Sequence, residues 1–172
     1  MAGRIEARLA ELGLVLPAPP APLASYVPFT VAEFSADFGR RHGLVVVSGQ
    51  IPMQDGKLAF AGKLGTPIDS RHGTALSVEQ GQAAARLCFL NLLAQLKAAC
   101  GGELDKVRRV LRLGGFIACT PEFTQHAVVM NGASDLAVAV FGEAGRHARS
   151  TIGVPSLPAD AAVEVEGMFE IG

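Results

Sequence analysis

The stretch from Ser77 to Gly102 restricts this chain more than any other part of it, because it reads as one long helix that needs a sheet to lie on. Ser77 and Gln80 have capping-box spacing, in which a hydroxyl and a side-chain amide satisfy each other's backbone N–H groups. Gly101-Gly102 then supply the left-handed stop that ends a helix. Between these marks Leu87, Leu90, Leu93, Ala94 and Leu96 or Lys97 outline a wide apolar face of the kind that packs on a sheet.

The flanking segments supply the strands. "LVVVSGQIP" (44–52) is rich in β-branched residues and ends in Gly and Pro, which predicts a strand. Asp55-Gly56 signals a hairpin between it and a short return strand, and residues 66–75 read as a polar loop. After the long helix, 106–120 reads as a strand with outward cations at Arg108 or Arg109 and Arg112. Gly114-Gly115 within it suggests a bulge or a close backbone approach. Residues 131–145 read as a shorter helix with Asn131 or Ser134 near its cap and Gly142 or Gly145 near its end. "RSTIGVPSLP" predicts a strand and turn, and "AAVEVEGMFEIG" an alternating terminal strand. The order is helix, then β-β-α-β-α-β-β, an α+β domain with its helices on one face of a sheet.

Composition narrows the function classes. At 172 residues and 49% hydrophobic content, the chain fits one domain with a sizeable core. A net charge of -1 argues against a broad footprint for nucleic acid or an anionic membrane. No apolar run approaches the roughly 20 residues that span a bilayer. The N-terminal segment is interrupted by Glu6, Arg8 and Glu11, so it reads as an amphipathic helix with Ile5, Leu9 and Leu12 on one face rather than as a signal peptide. A Pro-rich stretch (16–28) follows it. Cys88, Cys100 and Cys119 lack paired zinc-site spacing and read as reduced, mostly buried thiols of a cytoplasmic protein. His42, His72, His126 and His147 form no metal-binding pattern, and no cofactor fingerprint is present.

Several separated pieces, in order, carry a family resemblance: "SYVP", "VVVSGQIP", "EQGQAAARLCFLNLLAQLK", "LDKVRRV", "MNGASDLAVAVFG", "HARSTIGVPSLP" and "VEVEGMFEI". Over roughly residues 20–171 the chain resembles the YjgF/RidA family, also known as endoribonuclease L-PSP-like proteins. The resemblance divides the chain into an N-terminal amphipathic helix and Pro-rich linker (1–19) and a YjgF/RidA-like domain (20–172). It implies a chorismate-mutase-like fold, a mixed sheet with two main helices on one face. It further implies a homotrimer with ligand clefts between subunits, and hydrolysis of enamines and imines such as 2-aminoacrylate to 2-keto acids and ammonia.

The same resemblance assigns residues. Arg149 matches the arginine that clamps a substrate carboxylate, a task suited to the parallel N–H donors of a guanidinium. In the "GRHARSTIGV" segment around it, Arg146 and His147 match no family position and read as solvated. Glu164 matches an acidic residue that holds a water beside the substrate. Glu166 lies on the same strand face, and sequence alone leaves the two open. Tyr26, Ser48, Gly49 and Asn131 match residues lining the cleft; a strand-end hydrogen bond for Ser48 and a helix cap for Asn131 are the structural alternatives. Thr151 stands where many relatives have Cys. Three functions follow: a small-carboxylate enamine/imine deaminase, a non-catalytic binder of small carboxylates in the same clefts, and an endoribonuclease or translation inhibitor. The last would need an RNA track that low charge, one tyrosine and no tryptophan support poorly.

Overall fold

The computed structural model describes residues 3–19, 25–35, 41–65 and 75–172. The expected polar loop, apart from Ala75, and residues 20–24 of the Pro-rich stretch lie outside these. One five-stranded mixed sheet organises the chain in the order β1-β2-β7-β5-β6, built from β1 (Phe29–Ser35), β2 (Arg41–Gln50), β5 (Val107–Ala118), β6 (Ala148–Val154) and β7 (Val163–Ile171). β5 and β6 run parallel and the other neighbours antiparallel.

Helices α2 (Val78–Ala99) and α3 (His126–Phe141) cover one face of this sheet, as the sequence order predicts. Alternation along the strands sends Val45, Val47, Leu113, Ile117, Val163, Val165 and Phe169 to the helices, where all are buried. The α2 capping box forms as expected, with Ser77 N–H donating to Gln80 Oε1 and Gln80 N–H to Ser77 Oγ. Gly101 (φ 66°) and Gly102 (φ 94°) end the helix. Its buried stripe is broader than the expected one: Leu93, Ala94 and Leu96 are buried as expected, Ala85, Cys88, Phe89 and Leu92 are buried as well, and Leu87 and Leu90 are half-buried. α3 packs on α2 as well as on the sheet, and this second contact widens the covered face. At that contact a side chain on Gly132 would collide with the Gln82 carbonyl.

Three expectations are corrected. α3 begins at His126, five residues before Asn131, with Gln125 as an N-cap that makes no side-chain bond, so sequence offers no start signal. Asn131 is therefore interior to the helix, not its cap. β1 was not expected; it is an edge strand whose Val31 and Phe34 are exposed, so it lacks an in/out alternation. The Asp55-Gly56 hairpin forms with both residues at positive φ (51° and 75°). It joins two two-residue strands, β3 (Met53–Gln54) and β4 (Lys57–Leu58), in a separate ladder rather than extending β2. At Gly114-Gly115 the β5 register is regular, so of the two expected roles, bulge or close approach, close approach holds: side chains there would meet Glu166 on one face and Met130 on the other.

Helix α3 with its following turn, His126–Gly145, is long and apolar enough to cross a membrane by length and composition, at a mean hydropathy of 1.2. Here it packs against α2, β5 and β6 as a core helix. The N-terminal α1 (Arg4–Glu11) buries Ile5 and Leu9 in the same core. Its first backbone N–H groups, those of Arg4 and Ile5, donate to the Asp105 carboxylate at 2.7 and 2.8 Å, a cap supplied from the turn before β5.

Candidate functional site

Arg149 lies on β6, an edge of the sheet, in register with Leu113, so it faces the helices. Three of its five guanidinium N–H donors are taken by α3: Nη1 donates to Asn131 Oδ1 (2.9 Å) and Ser134 Oγ (3.0 Å), and Nη2 to the Ala127 carbonyl (3.2 Å). Nε–H and one Nη2 N–H have no protein partner among the described residues. The side chain is exposed yet held by three bonds, which presents two donors in a fixed orientation. Asn131 and Ser134 are three apart on α3 and hence on one helix face.

His147 is not free in solvent, contrary to the sequence expectation. Its Nδ1 lies 2.6 Å from the Gly145 carbonyl and its Nε2 3.1 Å from Ser134 Oγ. A carbonyl only accepts, so the network assigns the proton to Nδ1; Ser134 then donates to Nε2 and accepts from Arg149. Arg146 is exposed and pairs with Glu143 across one turn. Two strand positions past Arg149, Thr151 lies on the same face; its Oγ1 is buried with no hydrogen-bond partner among the described residues. Ser134 and His147 were missed as partners of the arginine because the helix start was misplaced; with α3 in register, the i, i+3 spacing from Asn131 points to Ser134.

Glu164 occupies the other, helix-free face, in register with Phe116 and through it with Ile152. Opposite Glu166 the partner strand β2 bulges: Val47 pairs with Gly167 and Gln50 with Val165, leaving Ser48 and Gly49 against one residue. The buried Gln50 amide donates to the Ser48 and Gly49 carbonyls (3.0 and 3.2 Å), which satisfies the bulge. Glu164 fills the space over Gly49, where any side chain would collide with its carboxylate. Ser48 is committed structurally. Its hydroxyl donates to the Val27 carbonyl (2.8 Å) and its N–H to that of Pro28 (2.9 Å), fastening the segment with the exposed Tyr26 beside the bulge.

The two carboxylates have different surroundings. Glu166 accepts from Arg112 Nη1 at 3.4 Å. Glu164 has no cationic partner among the described residues; burial pushes its carboxyl above the ordinary 4.5, and the Glu166 charge adds to the rise.

The structure thus gathers the sequence-derived residues into two groups. Arg149, Asn131 and Thr151 stand on the helix side of an edge strand. Glu164, Gly49, Ser48 and Tyr26 stand around a bulge at the helix-free side. Two strand spacings, about 10 Å, separate β6 from β7, and the sheet lies between the groups, so one chain does not bring Arg149 and Glu164 to one small molecule.

A mixed sheet backed by two helices on one face, with polar groups gathered at an edge strand and at a bulge, defines a chorismate-mutase-like α+β protein. The chain belongs to the YjgF family: the family model described as "YjgF/chorismate mutase-like, putative endoribonuclease" matches residues 6–170. Protein TCP17 of Trypanosoma cruzi is 42% identical over 170 residues, covering 98% of this chain and 95% of that protein. The crystal structure of Atu1372, a protein of unknown function from Agrobacterium tumefaciens, is 46% identical with a TM-score of 0.79, over 98% of this chain and 92% of that one. A "putative endoribonuclease" from Shewanella oneidensis is 35% identical with a TM-score of 0.82, over 97% and 99%.

Proposed function

We propose that this protein hydrolyses small enamines and imines of the 2-aminoacrylate type to 2-keto acids and ammonia, in clefts formed between three copies of the chain. The observation that carries the reading is the Arg149 guanidinium, fixed by Asn131, Ser134 and Ala127 with two donors left over. Two donors from one guanidinium match the two oxygens of a carboxylate. The separation of the groups supports assembly: the edge bearing Arg149 would meet the Glu164 bulge of a neighbouring copy. Val46 and Ile152, exposed on the helix-free face, would be covered there.

Such a substrate takes a proton at carbon, accepts water at C2, then releases ammonia as the C–N bond breaks. A carboxyl raised by burial can orient the water and carry the protons. Arg149 fixes the substrate's other end, and no strong nucleophile or cofactor is called on. A cytoplasmic location is part of the proposal, supported by the free thiols of Cys88, Cys100 and Cys119.

A second reading, a small-carboxylate binder without catalysis, is favoured by the presence of the complete anchor on one chain without Glu164. Release of ammonia and 2-keto acid from 2-aminoacrylate separates the two. In the same assay Arg149→Ala should cost about thirty-fold to several hundred-fold in binding or rate, the worth of a lost charge-assisted pair. Arg149→Lys should restore only part. Full activity of Arg149→Ala, or a monomeric mass by light scattering at micromolar concentration, would sink the proposal. Cleavage of RNA by rigorously purified protein would favour the endoribonuclease reading instead.

A further inference from the structure

A cavity of about 420 Å³ opens at the far end of β6, where β5 turns toward α3, and Arg149 does not line it. Gly153, which does, lies four residues along β6 from Arg149, about 13 Å between Cα atoms, so a small acid held by Arg149 does not fill it. Cys119 Sγ lies 3.4 Å from His126 Nε2 on the cavity wall. The Phe123 ring meets the imidazole edge to face at 5.3 Å and fixes its plane. Gly153 leaves the pair open: a Cβ there would stand 2.5 Å from His126 Nε2 and 2.7 Å from Cys119 Sγ. Among the described residues the rest of the wall is apolar at Phe123, Val154 and Pro155, with a cation at Lys63 and the Thr120 hydroxyl.

We propose that this cavity is a second reactive site, in which Cys119, with His126 as its proton acceptor, adds to a small anionic molecule bearing a carbon–carbon double bond conjugated to a carbonyl. The thiol proton passes to His126 Nε2, and sulfur forms a bond to the β-carbon as the double bond's electron pair shifts toward the carbonyl. The α-carbon then takes the proton back from His126, so the S–H group adds across the double bond with no other reactant. Lys63 selects the anion, and the apolar wall takes the body of the molecule. Burial keeps Cys119 protonated, its thiol pushed above the ordinary 9.0, so the thiol needs the adjacent base. All three thiols belong to the buried core, but among the described residues no imidazole stands within hydrogen-bonding distance of Cys88 or Cys100.

The test is labelling of the whole protein with N-ethylmaleimide and with the anionic N-carboxymethylmaleimide, read by peptide mass spectrometry at each cysteine. Cys119 should react at least tenfold faster than Cys88 or Cys100, and the anionic reagent should outpace the neutral one by several-fold at Cys119 alone. His126→Gln should slow Cys119 at least tenfold, Gly153→Ala should obstruct it, and Lys63→Met should erase the preference for the anion. Arg149→Ala should leave all of this unchanged, so the result stands apart from imine hydrolysis. Labelling of Cys119 no faster than Cys100, or an unchanged rate in both His126→Gln and Gly153→Ala, overturns the proposal.

Discussion

Adding one methyl group at Gly49 should destabilise the protein through Glu164, and deleting the Glu164 carboxylate should remove most of that effect. A Cβ at Gly49 would collide with Glu164 Oε1 and lie 2.7 Å from its Cδ and 3.0 Å from its Cγ. Because Cγ is also too close, turning the carboxylate about its last bond does not relieve the clash; the whole side chain has to leave its rotamer. An off-rotamer side chain costs about 0.5–1.5 kcal/mol, and an overpacked contact about 1–3 kcal/mol. Glu164 is half-buried and can swing outward, so the lower part of that range applies, about 1.5 kcal/mol. Gly49 does not have positive φ, so alanine brings no backbone strain of its own. The measurement is a double-mutant cycle by urea unfolding at fixed protomer concentration, with Gly49→Ala, Glu164→Ala, both together and the parent. Gly49→Ala should cost about 1.5 kcal/mol in the parent and less than about 0.5 kcal/mol once Glu164 is alanine. Equal costs in both backgrounds, within the roughly 0.4 kcal/mol expected of independent sites, would refute the contact.

The raised Glu164 carboxyl also has a pH signature. An acid whose folded pKa lies above its unfolded one favours folding in its protonated form, and that stability is lost as pH rises through the folded value. Glu164→Gln should therefore raise Tm relative to the parent at pH 7 and match it below the ordinary 4.5; a pH-independent difference counts against burial as the cause. Ser134→Ala removes an acceptor from Arg149 and the donor to His147. It should weaken binding of a 2-keto acid about fivefold, the worth of one hydrogen bond; calorimetry showing unchanged affinity would leave Ser134 with no positioning role. Asp105→Ala uncaps α1 and should cost about 1 kcal/mol, discounted for its exposure. Backbone N–H bonds from Ile5 and Arg4 hold the Asp105 carboxyl below its ordinary 3.8, so this contribution is present above 3.8 and lost as pH falls through the lowered value. Hydrogen exchange at α1 should quicken in the variant, and unchanged exchange would contradict the cap.

Local chemistry made part of the structure legible beforehand. The α2 capping box, its Gly101-Gly102 stop and the Asp55-Gly56 turn involve groups a few residues apart, so the sequence itself determined them. Alternation likewise placed Glu164 and Glu166 on one strand face. Tertiary structure decided the rest. α3 starts without a capping side chain, so only packing against α2 and the sheet sets where Asn131 falls, and that placement turns a supposed cap into an acceptor for Arg149. The surroundings of Glu164 and Glu166 differ because Arg112, more than fifty residues away, pairs with one, while a bulge in β2 brings Gly49 under the other. Cys119 and His126 show no motif at a spacing of seven; the turn from β5 into α3 folds one against the other. Caps and turns need only neighbours along the chain, whereas register, facing and burial depend on which distant strands pair, and that is fixed by the free energy of the whole core.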